Sequence, residues 1–361
     1  MFQDITLEEL RDLQQKQELA FVDVRSPSEY EQATIPGSLN IPLFNDAERA
    51  EIGTIYKQTS VQAAKERGLE IVSAKLPAFI KEFAGIGSKK VVFCWRGGMR
   101  SKTTATVLSL MGIHTYRLAG GYREYRRWVV ETLSAMEFAP KAYVIHGNTG
   151  TGKTALLRRL KEEGYPVLDL EAMAGHRGSV FGSIGLASRN QKAFDAQLLE
   201  EMLRIQASPY VLLEAESKRI GKVLLPDLLV RKKAEGIPIE IEMPVAARVE
   251  QILQDYRPAE YKEEYIQAFR QIKSRIHTPI AAEIETLLLA DRYAEAVELL
   301  LEHYYDPRYA YTAEQYGDHP EIRFAVGSTE EALAAVRGYL QEQEHREGQA
   351  DPSLEAKQPS V

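Results

Sequence analysis

The fold of the first part of this chain is decided by one stretch, Val91-Val92-Phe93-Cys94-Trp95-Arg96-Gly97-Gly98-Met99-Arg100-Ser101. Its β-branched apolar start predicts a buried strand, and a helix-compatible segment follows from about Ser101. Between the two, a pair of glycines permits the unusual dihedral angles of a concave loop, two arginines add positive charge, and the amides of the helix N-terminus point into the loop. We therefore predict an anion-binding loop with a thiol at its rim.

The thiol belongs to Cys94, the single cysteine of the chain. Amide groups and arginines around a cysteine favour the nucleophilic thiolate. We therefore predict that Cys94, Arg96 and Arg100 are catalytic residues, and that Gly97 and Gly98 bind phosphate. The alternative is a buried, inert thiol at the end of a strand, but such a thiol needs neither the paired glycines nor the two arginines.

Composition limits the class of protein. The 361 residues are enough for two domains of ordinary size, and 44% of them are apolar. One cysteine excludes an internal disulfide and a multi-cysteine zinc site, which is typical of a reducing compartment. The opening, Met1-Phe2-Gln3-Asp4, lacks the pattern of a secretory signal, and no apolar run has the length of a membrane span. The net charge of −7 argues against extended coating of nucleic acid but allows a local basic face. We predict a cytoplasmic protein that does not act at a membrane.

A second anion-binding motif follows a predicted domain boundary near residues 138–141. The pattern GxxxxGK[ST] occurs as Gly147-Asn148-Thr149-Gly150-Thr151-Gly152-Lys153-Thr154. It lies between a predicted strand over 142–146 and a predicted amphipathic helix over 155–163, which is the setting that a P-loop requires. Its glycines let backbone amides surround phosphates, Lys153 supplies a positive charge, and the Thr154 hydroxyl can bind Mg²⁺. We predict that the residues of this motif bind phosphate, with Mg²⁺ as a candidate metal.

Two later segments each have the pattern of an apolar strand that ends in carboxylates, over 167–171 and 210–216. Carboxylates at strand ends beside a P-loop can bind Mg²⁺ or activate a substrate group, which makes Asp169 and Glu214 candidates. The alternative is that they cap the next segment or pair with Arg219.

The glycine-rich loop 175–185 carries one imidazole and one guanidinium, those of His176 and Arg177. This composition is typical of a mobile lid or substrate loop, so both residues are candidate substrate contacts. The alternative is a flexible crossover without a chemical role.

A basic segment, Arg123-Glu124-Tyr125-Arg126-Arg127-Trp128, alternates arginine with aromatic residues. Cations can contact phosphates while aromatic faces stack on bases, so Arg123, Arg126 and Arg127 are candidate RNA contacts. The alternative is a solvated surface.

Four motifs together resemble the rhodanese family. They are the stretch 19–30 with Val22-Asp23-Val24-Arg25, the loop 35–42, the Cys94 loop, and Leu118-Ala119-Gly120-Gly121-Tyr122 followed by Trp128. The resemblance covers about the first 130 residues. It implies an α/β domain whose loop cysteine carries sulfur or selenium as a persulfide or its selenium counterpart. One departure is that five residues separate Cys94 from Arg100, as in the phosphatase-like members, where ordinary sulfurtransferases have four; a wider loop suits a phosphate-sized anion.

Asp23, Arg25 and Glu29 are the charged residues of the first of these motifs. They are candidates for a part in the reaction beside the thiol. The alternative is a buried ion network that holds the turn.

The overall prediction is an α/β fold with three parts. Residues 1–136 form a rhodanese-like domain, and residues 137–345 form a P-loop domain of the parallel-sheet type with a helical segment at about 245–320. The leucine, isoleucine and tyrosine stripes of that segment favour helix packing over a binding site. Residues 346–361 are too polar to fold and are predicted to be a disordered tail.

The order of these motifs, completed by Tyr305-Asp306-Pro307-Arg308-Tyr309, is similar to that of the bacterial tRNA 2-selenouridine synthase family over nearly the whole chain. The resemblance implies two reactions on the wobble 2-thiouridine of tRNA: geranylation of the sulfur with geranyl diphosphate, then replacement of the S-geranyl group by selenium from selenophosphate. On this basis we predict that the P-loop binds the diphosphate of the prenyl donor and that the Cys94 loop binds selenophosphate. No tightly bound cofactor is expected.

Two other functions are consistent with the same motifs. One is a rhodanese-type sulfurtransferase fused to an ATP-dependent kinase or ATPase, with a Cys94 persulfide as donor and ATP on the P-loop. The other is a tRNA-binding scaffold without catalysis, which the intact P-loop and the unsubstituted cysteine make the weakest of the three.

Overall fold

The computed structural model describes residues 2–308 and 322–350. The chain divides into two compact units. The first comprises Met1–Met136 together with Arg189–Glu200, and the second comprises Glu137–Ser188 together with Glu201–Val361. Residues 189–200 fall within the predicted P-loop domain, because no pattern in that segment indicates that it packs with the first unit.

The first unit is built on a parallel sheet. Its strands are β1 (Gln3–Ile5), β2 (Leu19–Asp23), β3 (Leu39–Asn40), β4 (Lys89–Phe93) and β5 (Thr115–Leu118). Their order is β1-β5-β4-β2-β3, and all neighbouring pairs are parallel. The helices are α1 (Leu7–Gln14), α2 (Pro27–Gln32), α3 (Asp46–Gln58), α4 (Val61–Ala84), α5 (Met99–Leu110) and α6 (Gly121–Ala135).

Strand β4 lies in the middle of this sheet, as its apolar sequence predicts. Val91, Val92 and Phe93 are fully buried, which is expected of a parallel strand covered on both faces. Parallel strands end at the same edge of a sheet, and ligands bind there in α/β folds. Asp23, the last residue of β2, and Cys94, directly after β4, therefore both lie at the carboxyl edge.

Asp23 and Arg25 form a buried ion pair at the end of β2. The Nη2 atom of Arg25 lies 2.6 Å from Oδ2 of Asp23 and donates a hydrogen bond of 2.6 Å to the carbonyl oxygen of Ala33. Thr34 Oγ1 donates to the same carboxylate at 2.9 Å, and the guanidinium lies 4.3 Å above the ring of Tyr122. Both charges are thus satisfied within the protein, which supports the alternative that the pair holds the turn.

The second unit contains another parallel sheet. Its strands are β6 (Lys141–His146), β7 (Val167–Leu168), β8 (Tyr210–Glu214), β11 (Ile237–Glu242) and β12 (Ile322–Ala325), in the order β12-β11-β6-β8-β7. The short strands β9 (Arg219–Ile220) and β10 (Val223–Leu224) form an antiparallel pair. The helices are α7 (Lys153–Glu162), α8 (Leu170–Ala174), α9 (Gln191–Ile205, the start of which belongs to the first unit), α10 (Asp227–Ala234), α11 (Val245–Tyr256), α12 (Lys262–Ile272), α13 (Thr278–Leu289), α14 (Tyr293–Leu300) and α15 (Thr329–Ala350).

Helices α12, α13 and α14 pack around an apolar core, as their leucine, isoleucine and tyrosine stripes predict. Phe269 and Ile284 are fully buried in this core, and Tyr265 and Tyr304 belong to it. A π-helical turn, Leu301–Tyr305, follows α14. The tyrosines of this region therefore serve mainly in packing.

The last described helix, α15, continues to Ala350, past the predicted end of the P-loop domain at residue 345 and into the start of the predicted tail. Leu333, Val336 and Leu340 anchor it in the core of the second unit, and a helix once formed extends at little cost. Residues 351–361, and Tyr309 of the motif that ends there, lie outside the described residues. In the ranges 2–308 and 322–350, no helix is both long and apolar enough to cross a membrane.

Replacing Arg25 by alanine should lower the free energy of unfolding of the first unit by about 3–5 kcal/mol, because the carboxylate of Asp23 would remain buried without a partner. The double variant Asp23→Leu with Arg25→Met should recover most of this loss, since an apolar pair of similar volume leaves no buried charge. Urea unfolding followed by circular dichroism measures both effects. A loss below about 1 kcal/mol for Arg25→Ala would show that water reaches Asp23.

Candidate functional site

The Cys94 loop is held in place by close backbone contacts. Gly97 has a φ of +63°, and a Cβ atom there would lie 2.9 Å from the carbonyl oxygen of Leu118. Gly121, with a φ of +61°, faces the loop from the other side, where a Cβ atom would overlap the carbonyl oxygen of Cys94. The amide of Tyr122 donates to that same oxygen at 2.9 Å. Glycines at these positions are therefore required by the close approach of the two loops.

The thiol of Cys94 lies at the floor of the loop, with 2% of the residue exposed. Its Sγ atom is 3.2 Å from Oγ of the fully buried Ser101, and it packs against the apolar core of the unit. The prediction of a thiol at the rim is therefore wrong for this conformation. Cys94 directly follows β4, and its side chain packs in the same apolar core as the buried residues of that strand.

The two arginines of the loop have different surroundings. Arg96 is exposed, whereas Arg100 forms an ion pair with Glu29 through both of its terminal nitrogens. Burial opposes ionisation of Glu29, but the hydrogen bond and charge of Arg100 prevail and hold the pKa of this carboxyl below its ordinary value. Arg49 lies 3.7 Å from the same carboxylate. Part of the positive charge of the loop is therefore neutralised by Glu29.

A pocket of about 280 Å³ lies next to the Cys94 loop in the first unit. We call it the aromatic pocket; it is lined by Arg25, Glu29, Gln32, Ala33, Trp95, Tyr122, Asn190, Gln191 and Lys192. The rings of Trp95 and Tyr122 are 5.7 Å apart. The hydroxyl of Tyr122 is buried and has no hydrogen-bond partner within the described part of the chain. This pocket was not predicted, because three of its residues come from the segment before and at the start of α9.

The basic segment on α6 does not offer its aromatic rings for stacking. Tyr122 and Tyr125 are buried, and Trp128 lies beneath the guanidinium of Arg11 at 4.3 Å. Among the predicted RNA contacts, Arg126 pairs with Asp195 at 2.6 Å, Arg127 pairs with Glu124 on its own helix, and Arg123 is exposed. Helix α6 thus turns the ring of Tyr125 inward and covers one face of Trp128, and the contact of the three arginines with RNA stays a prediction.

The P-loop joins β6 to α7 as its sequence predicts. Gly152 begins the turn into the helix with a φ of +70°, and the Nζ atom of Lys153 donates to the carbonyl oxygens of Gly147 at 2.8 Å and Asn148 at 3.2 Å. The loop is also tied to the helical part of the unit by Arg248, whose Nε donates to the carbonyl oxygen of Thr149 at 2.8 Å.

Arg248 in turn binds Asp306 with both terminal nitrogens, at 2.9 and 2.6 Å. This buried arginine links the P-loop to the Tyr305-Asp306-Pro307-Arg308 motif. Sequence reasoning missed it, because nothing in the pattern of α11 distinguishes Arg248 from a surface residue.

Three carboxylates gather beside the P-loop threonine. Thr154 Oγ1 donates to Glu171 at 2.9 Å and lies 3.2 Å from Glu214, and one oxygen each of Glu171, Glu214 and Glu216 lie within 4.8 Å of one another. Nζ of Lys153 is 3.6 Å from Glu214. A hydroxyl and several carboxylates are the ligands that Mg²⁺ prefers, so these residues fit that ion.

Of the two carboxylates that the sequence singles out, Glu214 belongs to this cluster and Asp169 does not. Asp169 caps α8 by accepting a hydrogen bond of 2.9 Å from the amide of Ala172, which is the alternative weighed for it. Glu171 takes its place, because the short turn of α8 directs the later acid toward the P-loop.

Burial raises the pKa of Glu171 to about 9, helped by the charges of Glu214 and Glu216. Burial also raises the pKa of Glu214 to about 7, although the nearby Lys153 opposes the shift. Without a cation, these buried and neighbouring carboxyl groups therefore bind protons tightly. A divalent cation would replace those protons and allow the carboxylates to ionise.

His176 and Arg177 maintain the shape of their loop. Nδ1 of His176 accepts from the amide of Gly178 at 3.1 Å, and Nη1 of Arg177 donates to the carbonyl oxygen of Ile184 at 3.0 Å. Burial and the charge of Arg177 lower the pKa of His176, which favours a neutral imidazole. The guanidinium of Arg177 also lies 4.8 Å from the ring centre of Tyr256. The contacts of both residues are within the second unit, and they indicate an ordered loop.

The first unit carries a loop cysteine at the carboxyl edge of its parallel sheet, which is typical of a rhodanese-like domain. The second unit carries a complete P-loop with a carboxylate cluster, so the chain is a rhodanese-like domain fused to a P-loop domain. Comparison with known proteins agrees with this class. Residues 6–127 match the rhodanese-like domain family, and residues 140–346 match the family described as tRNA 2-selenouridine synthase AAA domain. The predicted fold class is therefore confirmed.

Curated relatives narrow the class. The chain is 34% identical to a tRNA 2-selenouridine synthase of Nitrosomonas europaea, over 77% of this chain and 75% of the relative. It is 31% identical to one of Bdellovibrio bacteriovorus, over 85% and 92% of the two chains, and 32% identical to one of Pseudomonas syringae pv. tomato, over 91% and 96%. The chain belongs to the tRNA 2-selenouridine synthase family.

The stability of the second unit should fall as pH rises from about 4.5 toward 9 in the presence of a chelator. Glu171 and Glu214 have raised pKa values, so the folded protein binds more protons than the unfolded chain across this range, and raising the pH favours unfolding. The melting temperature measured by calorimetry should decline accordingly, and Mg²⁺ should restore it most strongly at the alkaline end.

Glu171→Gln should flatten this decline, because the amide has no proton to lose. The exposed Glu235→Gln serves as the matched control and should keep the wild-type slope. An equal slope in all three proteins would mean that the carboxylate cluster does not control the pH dependence.

Proposed function

We propose that this protein is a tRNA-modifying transferase that converts wobble 2-thiouridine into 2-selenouridine. The first step is geranylation of the sulfur with geranyl diphosphate, and the second replaces the S-geranyl group by selenium from selenophosphate. Membership in the tRNA 2-selenouridine synthase family supports the overall conversion. The observation that carries the two-step form is the presence of two separate anion-binding loops in one chain, one beside a cysteine and one with a lysine and a carboxylate cluster.

The P-loop fits the diphosphate of the prenyl donor. In geranylation the thiouridine sulfur attacks the first carbon of the geranyl group, the carbon–oxygen bond breaks, and diphosphate leaves with its charge. The amides of the loop and Lys153 can stabilise that charge. Thr154, Glu171 and Glu214 would hold Mg²⁺, which would neutralise the leaving diphosphate when bound.

The Cys94 loop fits selenophosphate. S-geranylation makes C2 of the base more electrophilic and converts its sulfur into a thiolate-type leaving group. Selenium can then attack C2, after which the carbon–sulfur bond breaks and geranylthiolate leaves; hydrolysis of the phosphorus–selenium bond completes the exchange. The exposed Arg96 and the loop amides would bind the phosphate. Because Cys94 is buried, the glycine-rich loop must open before the donor reaches its sulfur.

The aromatic pocket beside this loop fits the wobble base. Trp95 offers an aromatic face, and the buried Tyr122 hydroxyl offers a hydrogen-bonding group that has no partner in the described residues. Proteins that act on single nucleotides combine stacking with such polar contacts. The predicted cytoplasmic setting would give the protein access to tRNA and keep its thiol reduced.

Trp95→Ala should raise the KM for thiolated tRNA roughly 5- to 150-fold, the loss expected when one base–aromatic stack is removed. Steady-state kinetics with a fixed excess of the donors measures this. Trp128→Ala is the matched control, because the second tryptophan of the chain lies outside the aromatic pocket. Equal effects of the two substitutions would indicate a general loss of structure and contradict the role given to Trp95.

Substitutions in the two loops should separate the two reactions. Lys153→Ala should slow geranylation roughly 100- to 1,000-fold, because a charge-stabilising group is lost, while selenation of pre-geranylated tRNA continues. Cys94→Ser should slow selenation, because the thiol lies at the floor of the loop proposed to bind selenophosphate, and should leave geranylation intact. Mass spectrometry of digested nucleosides, with each donor added alone and both together, measures the products.

Geranylation by Lys153→Ala at the wild-type rate would contradict the proposal that the P-loop binds the diphosphate of the prenyl donor. Rapid ATP hydrolysis by the wild-type protein, together with sulfur transfer from thiosulfate, would instead favour the ATP-dependent sulfurtransferase. Normal selenation by Cys94→Ser would exclude the thiol from the reaction.

A further inference from the structure

A large groove lies on the first unit, between helices α3 and α4 and the first turn of α5. Its volume is about 700 Å³, within the range of roughly 300–1,000 Å³ that is typical of small-molecule sites. Leu43, Phe44 and Val72 are buried residues that line it. No motif in the sequence indicates a role for helices α3 and α4. We call this feature the apolar groove.

Several large apolar side chains of the groove remain exposed to solvent. The exposed fractions are 59% for Tyr56, 69% for Leu69 and 62% for Met99, and all three line the groove. Single exposed apolar side chains are common, but a group of them around one concavity marks a binding surface. The walls of the groove therefore suit an apolar ligand.

The charged residues that line the groove are basic. Arg49, Lys57, Lys65 and Arg100 line it, and within the part of the chain that the structure describes its lining includes no acidic residue. Lys57 and Lys65 are exposed and can reach a bound molecule. This arrangement suits a ligand with an apolar body attached to a polyanion.

The groove is adjacent to the place where we propose that selenium is transferred. Met99 and Arg100 form the first turn of α5, directly after the Cys94 loop. Arg100 pairs with Glu29, and Glu29 lines the aromatic pocket proposed for the wobble base. One ion pair therefore joins the aromatic pocket to the apolar groove.

We infer that the apolar groove binds the geranyl chain of S-geranyl-2-thiouridine in tRNA while selenium is transferred. This inference rests on the proposed two-step function. With the base in the aromatic pocket, its ten-carbon chain needs apolar cover near the Cys94 loop, and the groove is an apolar concavity that adjoins this loop through Met99 and Arg100. The lysines at its edge bind the phosphates of the neighbouring nucleotides.

Gly68 provides a way to narrow the groove from the side of α4. It lies within α4, and a Cβ atom there would be 3.5 Å from Phe44 and 3.7 Å from Ile52, which is ordinary contact. Gly68→Leu would thus place a larger side chain among the lining residues, and loss of a mid-helix glycine favours the helix. Gly338→Leu is the matched control, since Gly338 is also helical and a Cβ atom there meets nothing within 4 Å.

The test compares two synthetic anticodon stem-loop RNAs, one with S-geranyl-2-thiouridine and one with 2-thiouridine at the wobble position. The wild type and Gly338→Leu should bind the geranylated RNA more tightly. Gly68→Leu should lose at least tenfold of this affinity, bind the plain RNA as before, and still geranylate it. Tyr56→Ser, which removes apolar surface at an exposed position, should weaken binding of the geranylated RNA in the same way.

Unchanged affinity of Gly68→Leu for the geranylated RNA would overturn the inference, and normal geranylation by the wild type in the same experiment would leave the proposed function standing. Failure of the wild type to form any geranylated nucleoside would overturn both. A dimer of the wild type that Gly68→Leu dissociates would identify the groove as an interface between two copies and would also overturn the inference.

Discussion

Both anion-binding loops depend on the absence of a side chain at a few positions of the backbone. Gly97 of the Cys94 loop and Gly121, which faces it, approach the backbone of facing residues so closely that a Cβ atom at either would overlap or crowd a carbonyl oxygen. In the P-loop, a Cβ atom at Gly150 would lie 2.7 Å from a methyl carbon of Ile252 and 3.0 Å from the carbonyl oxygen of Arg248. These contacts set the path of the backbone, and the direction of its amides follows from that path.

The two loops are held in the conformation described here by different contacts. The Cys94 loop is fixed by backbone hydrogen bonds to the start of α6 and by the Arg100–Glu29 ion pair. The P-loop is fixed through Arg248, a buried residue whose positive charge is matched by Asp306. Because Asp306 comes after the helical segment, the packing of α12, α13 and α14 is coupled to the geometry of the phosphate site.

The sequence predicted those features that depend on local pattern. Strand β4, the P-loop with its flanking strand and helix, and the helical stripes after residue 245 follow from apolar periodicity and glycine spacing. The features it missed depend on contacts between distant residues. Asp169 caps the short helix α8, and this helix directs Glu171 rather than Asp169 toward the carboxylate cluster. Residues 190–192, which complete the aromatic pocket, come from a segment without a motif. The depth of the Cys94 thiol could not be predicted either, since the direction of a side chain at a strand end is decided by the tertiary core.

The burial of Cys94 also bears on the survival of the protein under oxidative stress. Peroxide converts exposed, reactive thiols to sulfenic acid and then irreversibly to higher oxides. With 2% of its surface exposed and Ser101 beside its sulfur, Cys94 is shielded from such damage in the closed loop. An opening of the loop that is coupled to arrival of the donor would limit the exposure of this sulfur to the brief interval in which it is needed.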